Sequence, residues 1–560
     1  MALSKTDKYN SRLGQLKSDR SSFIDYWREL SDFHLASRGR FLVTDYNKGN
    51  KRNTKQLNNT SRKAVRTLAS GMMAGITSPA RPWFRLSTPY PELNDVSVVR
   101  EWLHDVQTLM REVFSQSNLY NALHSAYGEL GTFASASIGI FEDFDNVVRF
   151  QNYTVGSYMW ASNGRNEVDT QYREYQYTVA QTVNEFGLEN CSNQVQQYWK
   201  NGNLSAPVKI CHVVEPNDNR DNNNPLAKYK RVKSVYYETG EGAKGVNTMH
   251  FLRESGFDEF PILTPRWDIT GEDVYGTDCP GMMALGDTKE LQLLERRLAQ
   301  AIDKVANPPT QAPVSLRNTL NRGGIAAGEI TWVNSTADGG IRSIYDYRPD
   351  LNALQAKIDI VEQRIEESFY SDLFLMLSNS DRRQITAREI AERHEEKLLM
   401  LGPVLERLHT ELLDPLIDRV FNIMQKAGIL PPPPEELQQV ELRVEYISVL
   451  AQAQRMVAVG GIERLLEFTT AAAQLDPGAI HKINLDEAID EYGDSLGVNP
   501  RIIRGEREVA QMRAQEAQRQ QLAQQMEMAS QTAQMAKDAS TVDTEGANPV
   551  ADLIRQQTGA

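Results

Sequence analysis

The sequence predicts an α+β fold that is mostly helical, and three observations predict it. Apolar residues recur at helical spacing through the first 75 residues. They do so again in two long stretches that begin near residues 286 and 350. A block between about 138 and 267 is instead rich in β-branched and aromatic residues, separated by Asn, Gly and Asp clusters. Since helices and strands come in blocks, alternating βαβ units are disfavoured.

Composition limits the classes of protein to consider. The 560 residues are 40% hydrophobic and 24% charged, which is typical of a folded globular chain. No apolar run is long enough for a membrane span, and the N-terminus lacks the apolar core of a signal peptide. Cys191, Cys211 and Cys279 match no metal-ligand spacing, so we expect buried small hydrophobes in a reducing compartment.

The net charge of −13 is unevenly distributed. Residues 1–67 hold 15 Lys and Arg against 6 Asp and Glu, whereas residues 351–500 hold 14 against 26. This asymmetry indicates either a basic contact surface and an acidic face, or ordinary solvated helix surfaces.

The N-terminal third is predicted to begin with helices. Leu13, Leu16, Phe23, Trp27 and Leu30 mark the first helix. A second helix is expected to start near residue 60 or 61 and to stop before the prolines at 79 and 82, and a third covers 94–117.

Two long helices flank a turn-rich segment. In the first, Asp287 is the expected N-cap, with Glu290 completing a capping box, and Pro308 ends the helix after about 20 residues, or about 30 Å. The second is expected to start after Asp350. The apolar stripes of both helices have no evident partner within the chain. Between them, residues 310–347 hold two strand-like runs and many glycines.

Another long helix is predicted after a polar turn at 378–384. Thr386 and Glu389 form a capping-box pattern at its start, and Pro403 and Pro415 predict a kink or break within it. The proline run 431–434 predicts a boundary, followed by a strand. Residues 504–540, rich in Gln and Ala, form a helical tail, and 541–560 are expected to be disordered.

The search for catalytic chemistry finds no strong motif. A phosphate-binding G-x-x-x-x-G-K-[ST] loop is absent from the sequence. His394 begins a partial H-E-x-x-H pattern, but Leu398 stands where the second histidine would be, so a solvated or interfacial histidine is favoured. The many carboxylates of 351–500 leave a two-metal nuclease site open as the weaker alternative to solvated helix faces.

Two segments carry a resemblance to a known family. A helix ending in MMAGITSP, followed by RPWF at 81–84, resembles the N-terminal signature of portal proteins, the head-to-tail connectors of short-tailed, podovirus-type bacteriophages. The segment DRRQITAREIAERHEEKLLMLGPVLERL at 381–408 is similar to the tunnel loop and following helix of that family. The resemblance extends over about residues 5–500. Trp83 and Phe84 would anchor the helix end to the body or simply fill the core.

The resemblance implies a ring of twelve copies with a central channel, built from regions called wing, stem, clip and crown. The implied regions are the wing at 1–285, stem helix 1 at 286–307, the clip at 308–349, stem helix 2 and its extension at 350–376, the tunnel loop at 377–385, a long kinked helix returning to the wing at 386–430, the C-terminal wing and crown at 431–503, and the tail at 504–540.

The ring would give the apolar stripes a partner in neighbouring copies. The residues expected to pack there are Leu291, Leu294, Leu298, Ile302, Leu354, Ile358 and Val361. An acidic channel lets DNA slide, because a lining of many Lys and Arg would bind phosphates too tightly. Arg382 and Arg383 are the candidate phosphate contacts in the tunnel loop, with pairing to Asp381 or a neighbouring subunit as the alternative.

The implied function is structural rather than enzymatic. Double-stranded DNA is packaged and ejected through the ring at one capsid vertex, and ATP hydrolysis belongs to a separate terminase. Arg317, Arg322 and Arg342 are candidate clip contacts with the terminase and the tail adaptors, or they stabilise the clip itself.

The major capsid protein and scaffold are further implied partners. The expected location is the virion, and the host cytoplasm during assembly. We expect no cofactor, no metal and no membrane. The alternatives are a metal-dependent nuclease or other DNA-processing enzyme, and an internal virion or scaffold protein.

Overall fold

A computed structural model gives the fold for most of the first 450 residues and for parts of the remainder. The described residues are 5–44, 55–94, 96–239, 251–317, 328–334, 341–344, 350–375, 400–437, 442–448, 450, 465–466, 468–472, 478, 482–489 and 506–540. The chain forms two compact units, Met1–Gly460 and Gly461–Ala560.

Long helices dominate both units, as predicted. Their bounds are α1 (Lys5–Phe33), α2 (Thr60–Ile76), α3 (Pro91–Asn94), α4 (Ser97–Gln116), α5 (Leu119–Phe133), α6 (Val179–Phe186), α7 (Asn193–Lys200), α8 (Pro280–Met283), α9 (Leu285–Ala306), α10 (Leu351–Ser368), α11 (Asp414–Lys426) and α12 (Glu506–Ser540). The predicted start of the second helix and the helical tail are confirmed. No helix among the described residues is both long and apolar enough to cross a membrane.

The β-rich block is confirmed as well. The strands are β1 (Phe84–Ser87), β2 (Ser137–Asp143), β3 (Val147–Tyr153), β4 (Tyr158–Ser162), β5 (Val168–Thr178), β6 (Pro207–Pro216), β7 (Val232–Thr239), β8 (Arg253–Phe257), β9 (Ile262–Leu263), β10 (Thr310–Pro313), β11 (Ile330–Val333), β12 (Arg342–Ser343) and β13 (Arg443–Tyr446). They form an antiparallel sheet β4-β5-β6-β7-β8, a sheet β3-β2-β9, a small sheet β11-β10-β12 and a ribbon β1-β13. The fold class is therefore α+β.

The largest core surrounds α2 and α5. Leu68 and Met72 of α2 are buried in it together with Leu130 of α5. Trp83 and Phe84 lie in the same core, where the Trp83 ring stacks on Phe114 at 5.9 Å between centroids. This location fits both proposed roles of the Trp-Phe pair, which are to anchor the helix end and to fill the core. All three cysteines are free thiols and buried, as predicted.

The N-terminal helix α1 packs along the antiparallel sheet. Leu13 and Leu16 share a buried cluster with Met159 and Tyr172 of β4 and β5. Further along, the buried Arg20 donates from Nη1 to the carbonyls of Gly156 at 2.7 Å and Tyr158 at 2.5 Å. An amphipathic helix thus closes one side of the sheet.

The predicted start of the first long helix is wrong. Helix α9 begins at Leu285, its N-cap is Ala284, and no side chain caps it. The reason is that α8 leads directly into α9, so the chain is already helical before it reaches Asp287. Asp287 lies in the first turn instead. The predicted start of the second long helix is confirmed, because Asp350 accepts from two backbone N–H groups of α10.

The predicted interruption near Pro415 takes the form of a π-helical turn. Residues 400–408 are helical through Pro403, and the π turn His409–Leu413 precedes α11 directly. A proline lacks the N–H for the helical bond and clashes with the carbonyl four residues back, and the wider π turn accommodates both effects. The proline run 431–434 separates elements but not compact units, since β13 beyond it pairs with β1.

Candidate functional site

Helices α9 and α10 form an antiparallel pair. Arg364, near the C-terminal end of α10, lies 3.3 Å from Asp287 and 3.1 Å from Glu290 in the first turns of α9. Lys357 lies 3.2 Å from Glu290. Hydrogen bonding from Lys357, followed by the charges of both cations, lowers the pKa of the Glu290 carboxyl. These pairs are solvent-exposed, so they fix the register of the helices more than they stabilise them.

A polar junction attaches the segment before α2 to this helix pair. The buried Gln292 accepts at Oε1 from Leu57 N at 2.5 Å and from Asn58 N at 2.9 Å. The Asn58 side chain donates to Glu295 of α9 at 2.8 Å and to Glu362 of α10 at 2.7 Å. The start of α2 is therefore positioned by both long helices at once.

The expectation that the apolar stripes lack a partner within the chain is wrong for three residues. Leu291, Ile358 and Val361 are fully buried in the core that surrounds α2 and α5. Leu294 and Leu298 are half-buried against the same core, and Leu354 is half-buried too. Sequence periodicity could not show this, because helices α2 and α5 of that core lie more than 150 residues before α9 in the chain.

Ile302 differs from the others, and it lies in the half of α9 farther from the core. Its side chain is 48% exposed, and that of Val305 is 52% exposed. Ile360 on α10 is 55% exposed. In a single chain these apolar side chains of the helix pair face solvent.

The small sheet is inserted between the two long helices. Strand β10 pairs in parallel with β11 and antiparallel with β12, and Gln311 lies opposite Arg342. Arg317 is exposed after a 3₁₀ turn that follows β10. Arg322 lies outside the described residues. Of the two strand-like runs predicted in this segment, the first contains β11, and the second contains β12 within its described residues.

The tunnel-loop segment 377–385, with Arg382 and Arg383, lies outside the described residues. So do His394 and the predicted capping box at Thr386 and Glu389. Within the part of the chain that the structure describes, no group of three or more His, Cys, Asp and Glu side chains is placed to hold a metal ion.

Sequence reasoning missed an ion pair that ties the π turn to the β-rich region. Glu411 of this turn accepts from Arg266 Nη2 at 2.6 Å and from Arg266 N at 2.9 Å. The same guanidinium donates to the carbonyl of Asn166 at 2.9 Å. A lone Arg before Trp267 gives no sequence signal for this role, since its partner is 145 residues away.

Comparison with known proteins gives a consistent result. The model of the family described as "Bacteriophage head to tail connecting protein" matches residues 6–503. A "Probable portal protein" of Bordetella phage BPP-1 is 46% identical over 550 residues, which cover 98% of each chain. A "Portal protein" of Salmonella phage epsilon15 is 44% identical over 545 residues, covering 97% of each. The chain belongs to the family of bacteriophage head-to-tail connecting proteins.

Proposed function

We propose that this protein is the portal subunit of a short-tailed phage, and that twelve copies form a ring at one capsid vertex. Double-stranded DNA is packaged and ejected through its channel. The observation that carries this proposal is the match to two portal proteins over nearly their whole length at 44–46% identity.

The helix pair α9–α10 is the proposed stem, and the small sheet is the proposed clip. Exposed apolar side chains on the helix pair support this assignment, because an apolar side chain that faces solvent in one chain gains free energy when a neighbouring copy covers it. Ile302 is therefore a proposed ring contact, together with Val305 on the same helix and Ile360 on α10. Leu291, Ile358 and Val361 support the ring indirectly, since they fix the stem to its own body.

The proposed channel works without sequence-specific contacts. The acidic balance of residues 351–500 weakens binding of DNA phosphates, and Arg382 and Arg383 of the tunnel loop provide brief contacts. Arg317, Arg322 and Arg342 are the proposed clip contacts with the terminase and later with tail adaptors. The major capsid protein and scaffold are proposed partners of the outer surface. The protein acts in the virion at the head-tail junction, after assembly in the host cytoplasm.

The proposed role is structural, with ATP hydrolysis supplied by the terminase. No observation among the described residues favours the nuclease alternative. The scaffold alternative accounts neither for the β-rich region nor for the relatives' names.

Substitution in the proposed stem tests the assembly. The double variant Ile302→Asp, Val305→Asp places two charges where a neighbouring copy would pack, and burying unpaired charges is costly. We expect wild-type protein to form particles of about twelve times the 63.2 kDa chain mass, and the variant to remain mostly monomeric by mass photometry.

The control is Val98→Asp on α4, which makes the same change at an equally exposed residue outside the helix pair. It should assemble like the wild type. Circular dichroism checks that both variants are folded. A double variant that still forms full rings would contradict the proposed stem contacts.

A further inference from the structure

A cleft of about 960 Å³ opens on the body of the first unit, away from the helix pair and the small sheet. Helix α11 forms one wall, and the proline run at 431–433 forms another. The ribbon β1-β13 contributes Leu86 and Val444, and the segment before β9 contributes Glu259 and Phe260. None of these residues belongs to the stem, the clip or the tunnel loop.

The walls of the cleft are mostly apolar. Trp102 of α4 and Phe421 of α11 line it together with Leu430 and Leu442. The Trp102 indole donates from Nε1 to the carbonyl of Pro431 at 3.1 Å, which fixes both the ring and the proline run. Prolines have a fixed φ and no N–H group, so their run presents a preorganised apolar wall with no donor to satisfy.

One carboxylate faces the cleft without a partner. No described residue donates a hydrogen bond to Asp418 or forms an ion pair with it, and its side chain is exposed to the cleft. Partial burial, followed by the negative charges of Asp414 and Glu259, raises the pKa of this carboxyl to about 6. The local potential is therefore negative.

The cationic side chains near Asp418 already have other partners. The buried Arg419 donates from Nε to the carbonyl of Ile140 at 3.1 Å, and its guanidinium lies 5.3 Å from the Phe257 ring centroid. Lys426 pairs with Asp258. The carboxylates beside Asp418 are also occupied, since Glu259 accepts from Asn422 and Asp414 accepts from the Tyr446 hydroxyl. Asp418 is thus the acceptor that remains for a ligand.

We propose that this cleft binds a peptide segment of a partner protein in which an Arg or Lys lies beside apolar residues. The cation pairs with Asp418, and the apolar residues pack between the proline run and Phe421. The volume suits a few side chains rather than a whole domain, and an apolar cavity with one convergent charge is the usual form of a specific binding site. This proposal goes beyond the portal role.

The test uses the full-length protein and a defined probe, the peptide acetyl-Leu-Pro-Arg-Leu-amide, titrated by saturation-transfer NMR. The control peptide replaces arginine with citrulline, which has nearly the same shape and no charge. We expect the arginine peptide to bind more tightly, and Asp418→Asn to weaken its binding about fivefold, as for a partly exposed ion pair. Asp145→Asn, at an exposed hairpin tip, should leave binding unchanged.

A second variant tests the apolar wall. Val444→Thr keeps the shape of the side chain but replaces one methyl group with a hydroxyl, and it should weaken the binding of both peptides alike. The proposal is overturned if the citrulline peptide binds as well as the arginine peptide, or if Asp418→Asn binds like the wild type. It is also overturned if the single chain binds the peptide but assembled particles do not, because the cleft would then be covered by a neighbouring copy. Particle assembly is measured separately, so these results do not decide the portal role.

Discussion

Gly71 of α2 packs against the side chain of Phe374, which follows α10 in the chain. A Cβ at this position would overlap the Cβ of Phe374 and lie 2.5 Å from its Cδ1. Phe374 is itself fully buried, so it has no free space to move into. Gly71 thus has a packing reason: it lets α2 approach the segment that follows α10 closely.

Gly71→Ala should destabilise the protein by about 1–3 kcal/mol, because overpacking outweighs the better helix propensity of alanine. Gly14→Ala is the matched control, since Gly14 lies in α1 with nothing within 4 Å of an added Cβ. The control should be stabilised by about 0.5–1 kcal/mol. Thermal unfolding of both variants measures the difference, and a Gly71→Ala protein more stable than the wild type would contradict the packing described.

Glu129 of α5 is a buried carboxyl with an incomplete set of partners. Its Oε2 accepts from Val155 N at 3.3 Å, and Arg38 lies 3.6 Å from Oε1. Burial raises its pKa to about 7, although Arg38 lowers it in part. The folded state therefore holds this proton at a pH where the unfolded chain has released it.

The free energy of unfolding should consequently fall as the pH rises from about 4.5 to about 7, and it should stay level above that. The fall from this group alone should be about 3 kcal/mol. Glu129→Gln removes the proton equilibrium and should flatten this part of the profile of melting temperature against pH between 5 and 8. Glu92→Gln, at an exposed site, should leave the profile unchanged. A Glu129→Gln profile as steep as that of the wild type would refute the assignment.

At the scale of elements, the π turn His409–Leu413 connects the helical segment 400–408 to the β-rich region. Its Glu411 pairs with Arg266, whose side chain is only 4% exposed. The Trp267 beside it lies in the largest core. The turn thus presents a carboxylate to a guanidinium that is otherwise buried among backbone carbonyls.

Glu411→Ala should destabilise the protein by about 3–5 kcal/mol, because it leaves the buried charge of Arg266 uncompensated. Glu406→Ala removes an exposed carboxylate in the preceding turn and should have an effect below about 0.5 kcal/mol. Chemical denaturation of the two variants compares them directly. Equal stabilities would mean that water or another group replaces Glu411.

Local patterns in the sequence predict the elements better than their ends. The start of α10 directly after Asp350 is correctly predicted, and the Asp350 side chain caps this helix. The same logic fails at Asp287, since α8 continues into α9 and the chain is already helical before that residue. The strand before Ile447 is predicted by its alternation, but its pairing with β1, 356–362 residues distant, is not.

At the scale of the whole molecule, sequence reasoning reaches the fold class and the family, but not the contacts between distant segments. The helix pair is predicted from two apolar stripes, yet Leu291, Ile358 and Val361 of these stripes are buried in the core of the same chain. Gln292 is the clearest residue of the candidate site that the sequence does not predict, because a polar residue next to Leu291 on a helix is usually at the surface. Its role depends on the backbone N–H groups of residues 57 and 58, which donate to its side-chain oxygen.

The central claim is that this chain assembles into a closed ring around a channel. The most direct measurement is electron microscopy of the purified full-length protein, with the symmetry counted in end-on views. We expect rings with a central hole and twelve-fold symmetry. Monomers or small dimers at high protein concentration, with no ring in any view, would contradict it.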